Sequence, residues 1–434
     1  MPEHATTVSD RTVRTNRLTR VITASAVGNF IEWYDFAIYG FLATTLAAQF
    51  FPNENPTSAL LETFAVFAVA FALRPLGGIF FGRLGDRLGR RTTLSLTVIL
   101  ISGSTAAIGL MPTYESIGVL APILLVTARC LQGFSAGGEY AGACAYVIEH
   151  APPRRRASMA SFVPVSTFWS FAFAAGFTFV LSQILGSAAM GDWGWRIPFL
   201  LAIPLGLFGF YLRFKMEESP LFAEAEEDED LVSSPLKETV VNHWRTIALL
   251  VGFISATGLS FYTFTTYMST FMSVEGALSR AEALLSSCIC LIIAGLLCPF
   301  AGRLSDRIGR RNTTRSACLI LIVTVFPSFM MAGTGVLWMA IIGQMLLGVG
   351  AVMTGIVTAV LMSELFPTKV RYTASAISYN LAYTLFGGSA PFIATLLIDR
   401  TGNQLAPAAY LAVVCVIALL ASSKFPETSR RPLD

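Results

Sequence analysis

Two acids stand three residues apart in GNFIEWYDFAIYG (28–40), a stretch otherwise apolar enough for a bilayer: Glu32 and Asp35. Spacings of three and four residues put them on one helical face with Ser25, Asn29 and Tyr39. A charge at the centre of a membrane costs about 2.5–3.5 kcal/mol on insertion scales and is found mainly in bundle interiors or wet cavities. The stripe therefore faces inward. Two readings stay open: a structural ion pair with an arginine, or a proton site. Desolvation brings the charged and neutral forms of a carboxyl close in free energy, so that it can take and release a proton.

Two arginines lie in equally apolar surroundings. Arg129 shares a face with Gln132 and Glu139 across an arc of about 80° on an ideal helix. A guanidinium does not readily lose its charge, so inside a membrane it needs a carboxylate partner or an anionic substrate. Arg74, just before Pro75, is a similar case. Against these two arginines, Glu32, Asp35 and Glu139 leave one carboxylate in surplus, which a proton would relieve. The second half offers aromatics and hydroxyls instead: Tyr262, Thr266 and Ser269, then Tyr379, Asn380 and Tyr383. These could hydrogen-bond a carboxylate or face an ammonium group; packing is the plainer alternative. Gly387, Gly388 and Pro391 suit bending or close helix approach.

These groups need a scaffold that keeps them out of lipid. Of 434 residues, 54% are hydrophobic and 13% charged, against roughly 25% charged in a soluble domain. Apolar segments long enough to cross a bilayer begin near residues 20, 58, 92, 118, 158, 195, 246, 282, 314, 335, 372 and 406. The first is too long for a signal-peptide core and is read as retained. The expected organisation is a polar tail (1–19), a six-helix bundle (20–214), a polar linker (215–245), a second bundle (246–423) and a short tail (424–434). The acidic run 224–230 reads as solvated linker. Of the 30 Lys and Arg, 25 fall on the side of the termini and 3 on the other. This places both termini in the cytoplasm by the positive-inside rule.

The halves repeat one another. GRLGDRLGRR (82–91) recurs as GRLSDRIGRR (302–311), and EHAPPRRRASMAS (149–161) as ELFPTKVRYTASA (364–376), matching Glu149 to Glu364 and Arg156 to Arg371. Parallel repeats of this kind imply a pseudo-twofold bundle with substrate bound between halves at midplane. Other chemistries find little support. Net charge is +3, which does not suggest nucleic acid. The three histidines are scattered in polar segments, and the seven cysteines read as packing residues. No phosphate-binding loop is present. No cofactor, metal site or enzymatic activity is expected.

The signature following the second span, and Arg129-CLQ-Gly133-FSA-Gly137 in the fourth, resemble motifs of the major facilitator superfamily. GNFIEWYDFAIYGF, QGFSAGGEYAGA and DWGWRIPF are similar to its metabolite:proton symporter branch. The resemblance runs from about residue 20 to 425. It implies an all-α, twelve-helix fold and a monomer in the bacterial inner membrane, working by alternating access. Proton coupling would fall to Glu32, Asp35, Arg129 and Glu139. Substrate contacts would come from Asn29, Tyr39, Arg74, Gln132, Tyr262, Thr266, Tyr379, Asn380 and Tyr383. Gating contacts would come from Gly82, Asp86, Arg87, Arg90 and Arg91, with Asp306, Arg307, Arg310 and Arg311, while Arg154–Arg156 would serve topology. The resemblance pulls two ways: GNFIEWYDFAIYGF and QGFSAGGEYAGA look more like proline/betaine transporters, whereas FYTFTTYM and FGGSA look more like 2-oxoglutarate permeases. Together with the two arginines, the latter favour a 2-oxoglutarate- or citrate-like acid as substrate. The alternative is a zwitterionic osmolyte such as proline or glycine betaine; a transporter-like sensor without transport is a third reading. A fluorescent protein fused to the C-terminus should glow and a phosphatase fused there should be inactive, as measured in intact cells.

Overall fold

In the computed structural model, backbone is described for residues 8–214, 235–429 and 431, except 89 and 138. Side chains of 8–22, 24, 25, 82, 83, 85–88, 90, 91, 94, 139, 213, 214, 235–240, 368 and 369 also lie outside the described set. That set therefore excludes Ser25, Glu139, Gly82, Asp86, Arg87, Arg90 and Arg91.

Helix dominates, because a chain surrounded by hydrocarbon must satisfy its backbone polar groups within itself. Eight helices are long and apolar enough to cross a membrane, and three more are shorter and apolar: Ser95–Leu110, Arg196–Leu212 and Ala406–Ser422. With Val8–Phe41, which contains Glu32 and Asp35, these make twelve spans among the described residues. Their starts follow the apolar segments read from sequence. The first and seventh helices begin earlier, at Val8 and Pro235, so helix extends beyond the apolar stretch into polar sequence. Outward faces carry exposed Leu, Ile, Val and Phe, while the inward face of the first span is closed: residues 31–43 are all buried.

Three spans depart from regular helix near mid-length. The fourth is broken between Leu120–Ser135 and Glu139–His150. The seventh and eleventh each contain a π-helical turn, Thr263–Tyr267 and Tyr383–Gly387. Such turns cluster at functional sites because they re-aim side chains. Here they lie beside Tyr262, Thr266, Tyr379 and Tyr383.

The fourth-span glycines have a steric reason. A Cβ on Gly133 would stand 1.8 Å from the Ala70 carbonyl oxygen, and one on Gly137 2.2 Å from that of Arg74. Small residues allow the second and fourth helices to touch backbone to backbone, which brings Arg74 and Arg129 into one chamber. Gly133→Ala should therefore lower the thermal unfolding midpoint in detergent, since forced overpacking costs about 1–3 kcal/mol. Gly103→Ala, with open space around it, is the control and should leave the midpoint unchanged.

Candidate functional site

Within the second and fourth spans the two arginines sit among rings. The Arg74 guanidinium lies 4.4 Å from the Phe71 ring centroid, 4.5 Å from Phe36 and 5.5 Å from Trp33. Arg129 lies 4.1 Å from Tyr39, 5.2 Å from Phe67 and 5.3 Å from Phe36. Both are buried, at 2% and 1% exposure. Stacking on aromatic faces is one of the few ways to hold a guanidinium away from water without a close carboxylate. Among the described residues, the ion pairs within 4.0 Å all lie elsewhere.

The two sites differ in their polar partners. Arg129 Nη1 donates to Gln132 Oε1 at 2.7 Å, and Gln132 Nε2 donates to Thr105 Oγ1 at 2.5 Å. Thr105 Oγ1 donates its hydrogen to the Ile101 carbonyl at 2.9 Å and lies beside the Asp35 carboxyl, which feels the Arg129 charge. Asp35, Thr105, Gln132 and Arg129 thus form one polar cluster inside the first half. Tyr39 flanks it, donating its hydroxyl to the Thr63 carbonyl. Arg74 faces the second half, within electrostatic reach of Tyr262, Tyr379 and Tyr383, the first of which Arg129 also reaches. Glu32, 4% exposed, is also within reach of Tyr262. Nε and Nη2 of both Arg74 and Arg129, and the hydroxyls of Tyr262 and Tyr379, are buried without a protein hydrogen-bond partner. Tyr379 stacks on Tyr383 at 4.1 Å and, across the halves, on Tyr140 at 5.0 Å.

Other expected contacts are placed differently. Asn29 turns toward the fifth span, donating to Ser166 Oγ at 2.9 Å and Thr167 Oγ1 at 2.7 Å, and accepting from Trp33 Nε1. Thr266 is buried, with its methyl group against Gly40. Asn380 donates across the halves to the Gly137 carbonyl at 2.7 Å. Trp33, Phe36, Phe67, Phe71, Tyr140 and Thr105 complete the chamber, and sequence reasoning missed them. The aromatics at 33, 36, 67 and 71 recur at helical spacing beside the charged positions, which was the available signal.

On the side of the termini the halves are locked. Asp306 accepts from the backbone N–H of Ala157 at 3.0 Å and of Ser158 at 2.9 Å, and from Ser158 Oγ at 2.6 Å. Arg310 binds Asp306 at 3.0 Å and both oxygens of Glu364 at 3.1 Å. Arg156 approaches Glu364 at 3.7 Å, and Arg371 binds Glu149 at 3.2 Å. The matched pairs of the repeat have exchanged partners: each half's arginine meets the other half's glutamate. Arg156, expected to serve topology alone, is 4% exposed and belongs to this lock. Arg307, expected in the gate, is exposed instead. Arg311 joins through its backbone N–H to Glu427 and its side chain to the Ser423 carbonyl.

The C-terminal segment closes the same surface. Glu427 receives the N–H groups of Arg310 and Arg311 at 2.9 and 3.1 Å, capping the ninth helix where Gly309 turns at φ 88°. Burial raises the Glu427 pKa, but the N–H donors of Arg310, Ser429 and Arg311 outweigh it and hold it below the usual glutamate value. A depressed carboxylate contributes stability above its unfolded pKa and loses it as pH falls through the folded one. The cap therefore stays charged at neutral pH. Thr428 donates to Glu364 at 2.5 Å, and Arg156 to the Arg431 carbonyl at 2.9 Å.

On the opposite side the halves part around a cavity of ≈710 Å³ whose lining includes Thr44, Phe51, Glu54, Tyr267, Phe271, Glu275 and Asp399. Beside it, Arg280 reaches across to Thr45 and to the Phe41 carbonyl.

With this geometry in hand, comparisons with known proteins are informative. The family model described as Major Facilitator Superfamily matches residues 25–391. The chain is 39% identical over 431 residues to the "Proline/betaine transporter" of Escherichia coli K12, covering 96% of this chain and 85% of that one. It is 39% identical over 429 residues to the "Glycine betaine/proline/ectoine/pipecolic acid transporter OusA" of Dickeya dadantii, with the same coverage. The "Ectoine/proline transporter ProP" of Corynebacterium glutamicum is 37% identical over 445 residues, covering 98% and 88%. Among solved structures, the fold is similar to the partially occluded inward-open xylose transporter XylE of E. coli. The TM-score is 0.76 at 19% identity, covering 96% of this chain and 99% of that one.

The two exchanged pairs differ in burial, and their contributions should differ accordingly. Glu364 is 2% exposed and Glu149 36%. Removing one partner of a buried pair costs about 3–5 kcal/mol, whereas an exposed pair contributes about 0–1. Glu364→Gln should lower the thermal midpoint in detergent by several degrees; Glu149→Gln should shift it by little.

Proposed function

Since the chain belongs to the Major Facilitator Superfamily, we propose that this transporter is a proton-coupled symporter for a small zwitterionic osmolyte of the proline or betaine kind. Both termini would face the cytoplasm of a bacterium and the ≈710 Å³ cavity the outside. The observation that carries the reading is the pairing at Arg74. A ring-held guanidinium with open Nε and Nη2 donors faces two tyrosine hydroxyls across the interface between halves. These donors would hold one carboxylate once the halves part to admit it. The ring faces of Trp33, Tyr140 and Tyr379 supply the electron-rich surface that an ammonium group prefers.

Charge balance favours a zwitterion over the organic acid expected from sequence. Arg129 already donates through Nη1 to Gln132 and feels Tyr39, Tyr262 and Asp35, although its Nε and Nη2 are open like those of Arg74; Arg74, beside three tyrosines of the second half, is the cation we assign to the substrate. Arg74 and Arg129 are already matched in number by the buried Glu32 and Asp35, so a dicarboxylate would bring excess negative charge. The outer cavity, with Glu54, Glu275 and Asp399 in its lining, is likewise ill suited to a dianion. The transporters of E. coli, Dickeya and Corynebacterium, which resemble this chain, are named for proline, betaine or ectoine.

In this reading Asp35 is the proton carrier. Charged, it is attracted to Arg129 within the cluster that includes Thr105 and Gln132; protonated, it frees Arg129 and changes the field that Arg74 and the substrate feel. Glu32 adjusts the charge beside Tyr262. Protonation and substrate binding together would favour the occluded state, and rocking of the halves that parts the lock would release both to the cytoplasm.

Purified protein in proteoliposomes with acid outside should accumulate labelled glycine betaine or proline, and a protonophore should abolish the accumulation. Asp35→Asn should reduce gradient-driven accumulation at least about tenfold while sparing substrate exchange, as loss of a coupling group alone would do. Accumulation of 2-oxoglutarate but neither osmolyte would support the organic-acid reading. Binding without transport would support a sensor.

A further inference from the structure

The second span has a proline at its centre, and its consequence lies in the other half of the molecule. Pro75 has no N–H, so the Phe71 carbonyl one turn earlier loses its usual helical donor. Thr384 of the eleventh span supplies the hydrogen instead, donating from Oγ1 to Phe71 O at 2.8 Å. One turn earlier on the same face, Asn380 donates to the Gly137 carbonyl in the break of the fourth span at 2.7 Å. The helices meet closely here: a Cβ on Gly388 would stand 2.4 Å from the Phe71 ring. Two backbone acceptors, exposed by a proline and by a helix break in the first half, are satisfied by two side chains of the second.

We infer that Thr384, together with Asn380, is a positioning residue that latches the closed state by completing the backbone hydrogen bonding that Pro75 leaves unfinished. The inference rests on the alternating-access reading above, because separation of the halves at this seam must break both contacts. When the seam opens, water can reach the Phe71 carbonyl. When it closes without a donor, that carbonyl is buried and unsatisfied, which costs far more than an ordinary hydrogen bond contributes. The latch therefore acts mainly through the penalty it prevents.

Cys144 reports on this seam. It is fully buried and close to Tyr140 and to Tyr383 of the other half. Full-length protein that keeps Cys144, with the other six cysteines changed to serine, is treated in proteoliposomes with a membrane-permeant maleimide. Thr384→Val, which keeps the shape and removes the donor, should raise the Cys144 labelling rate about tenfold, as expected for one orphaned buried carbonyl. Thr384→Ser should label like the parent. Pro75→Ala restores an N–H for Phe71 O within the helix, so Pro75→Ala/Thr384→Val should label more slowly than Thr384→Val alone. In uptake assays Thr384→Val should lower the maximal rate several-fold and change KM less than about twofold. Equal labelling of Thr384→Val and parent would overturn the latch, as would effects of the two substitutions that simply add. A wrong assignment of substrate would show separately, as no osmolyte uptake by the parent with the labelling pattern intact.

Discussion

Everything at the centre of this molecule follows from holding two guanidinium groups away from water without a carboxylate within 4.0 Å of either among the described residues. Arg74 and Arg129 are stabilised by ring faces, and the rings come from the first and second spans. This arrangement requires the second and fourth helices to approach until their backbones touch, which Gly133 and Gly137 permit. It also leaves donors open on Arg74 at the interface between halves. A fully neutralised pair would hold the helices together as firmly but would have nothing to offer an incoming ligand.

The two arginines, alike in sequence context, differ in what surrounds them. Arg129 hydrogen-bonds Gln132 within one half and lies near Asp35, with Tyr262 of the other half in electrostatic reach, so most of its polar partners survive relative motion of the halves. Arg74 faces tyrosines of the other half, so its environment changes whenever the halves move. A proton relay is best kept in the steadier setting and a ligand contact in the more variable one. That division underlies the roles proposed for them.

The twelve apolar stretches, the repeat and the charged residues at their centre could all be read from sequence, because period and composition report what faces lipid. The arginine-spaced glycines could be read as a motif, though the carbonyl contacts that require them could not. The reach of Asn29 into the fifth span was invisible, since helical spacing fixes a face but not the neighbour that it meets. Arg156 looked like a loop charge because one sequence shows a cluster of three arginines without showing which is buried. The exchange of partners between Glu149 and Glu364 was within reach. Both pairs had been aligned by the repeat, and a twofold axis passing between them converts alignment into contact. The Thr384 contact needed the structure, because a missing N–H predicts that a carbonyl seeks a donor without saying from where.

That exchange has an implication for how the closed form is built. An arginine and a glutamate at equivalent places in each half make the contact self-complementary, as in a dimer of identical subunits. One six-span unit already contains both parts of the handshake, and the present chain holds two such units in a single polypeptide. Closure thus depends on features common to both halves, while the chamber lining differs between them: charged and aromatic in one, aromatic and hydroxyl-bearing without charge in the other. The shared seam can stay fixed while the lining diverges to suit a new cargo.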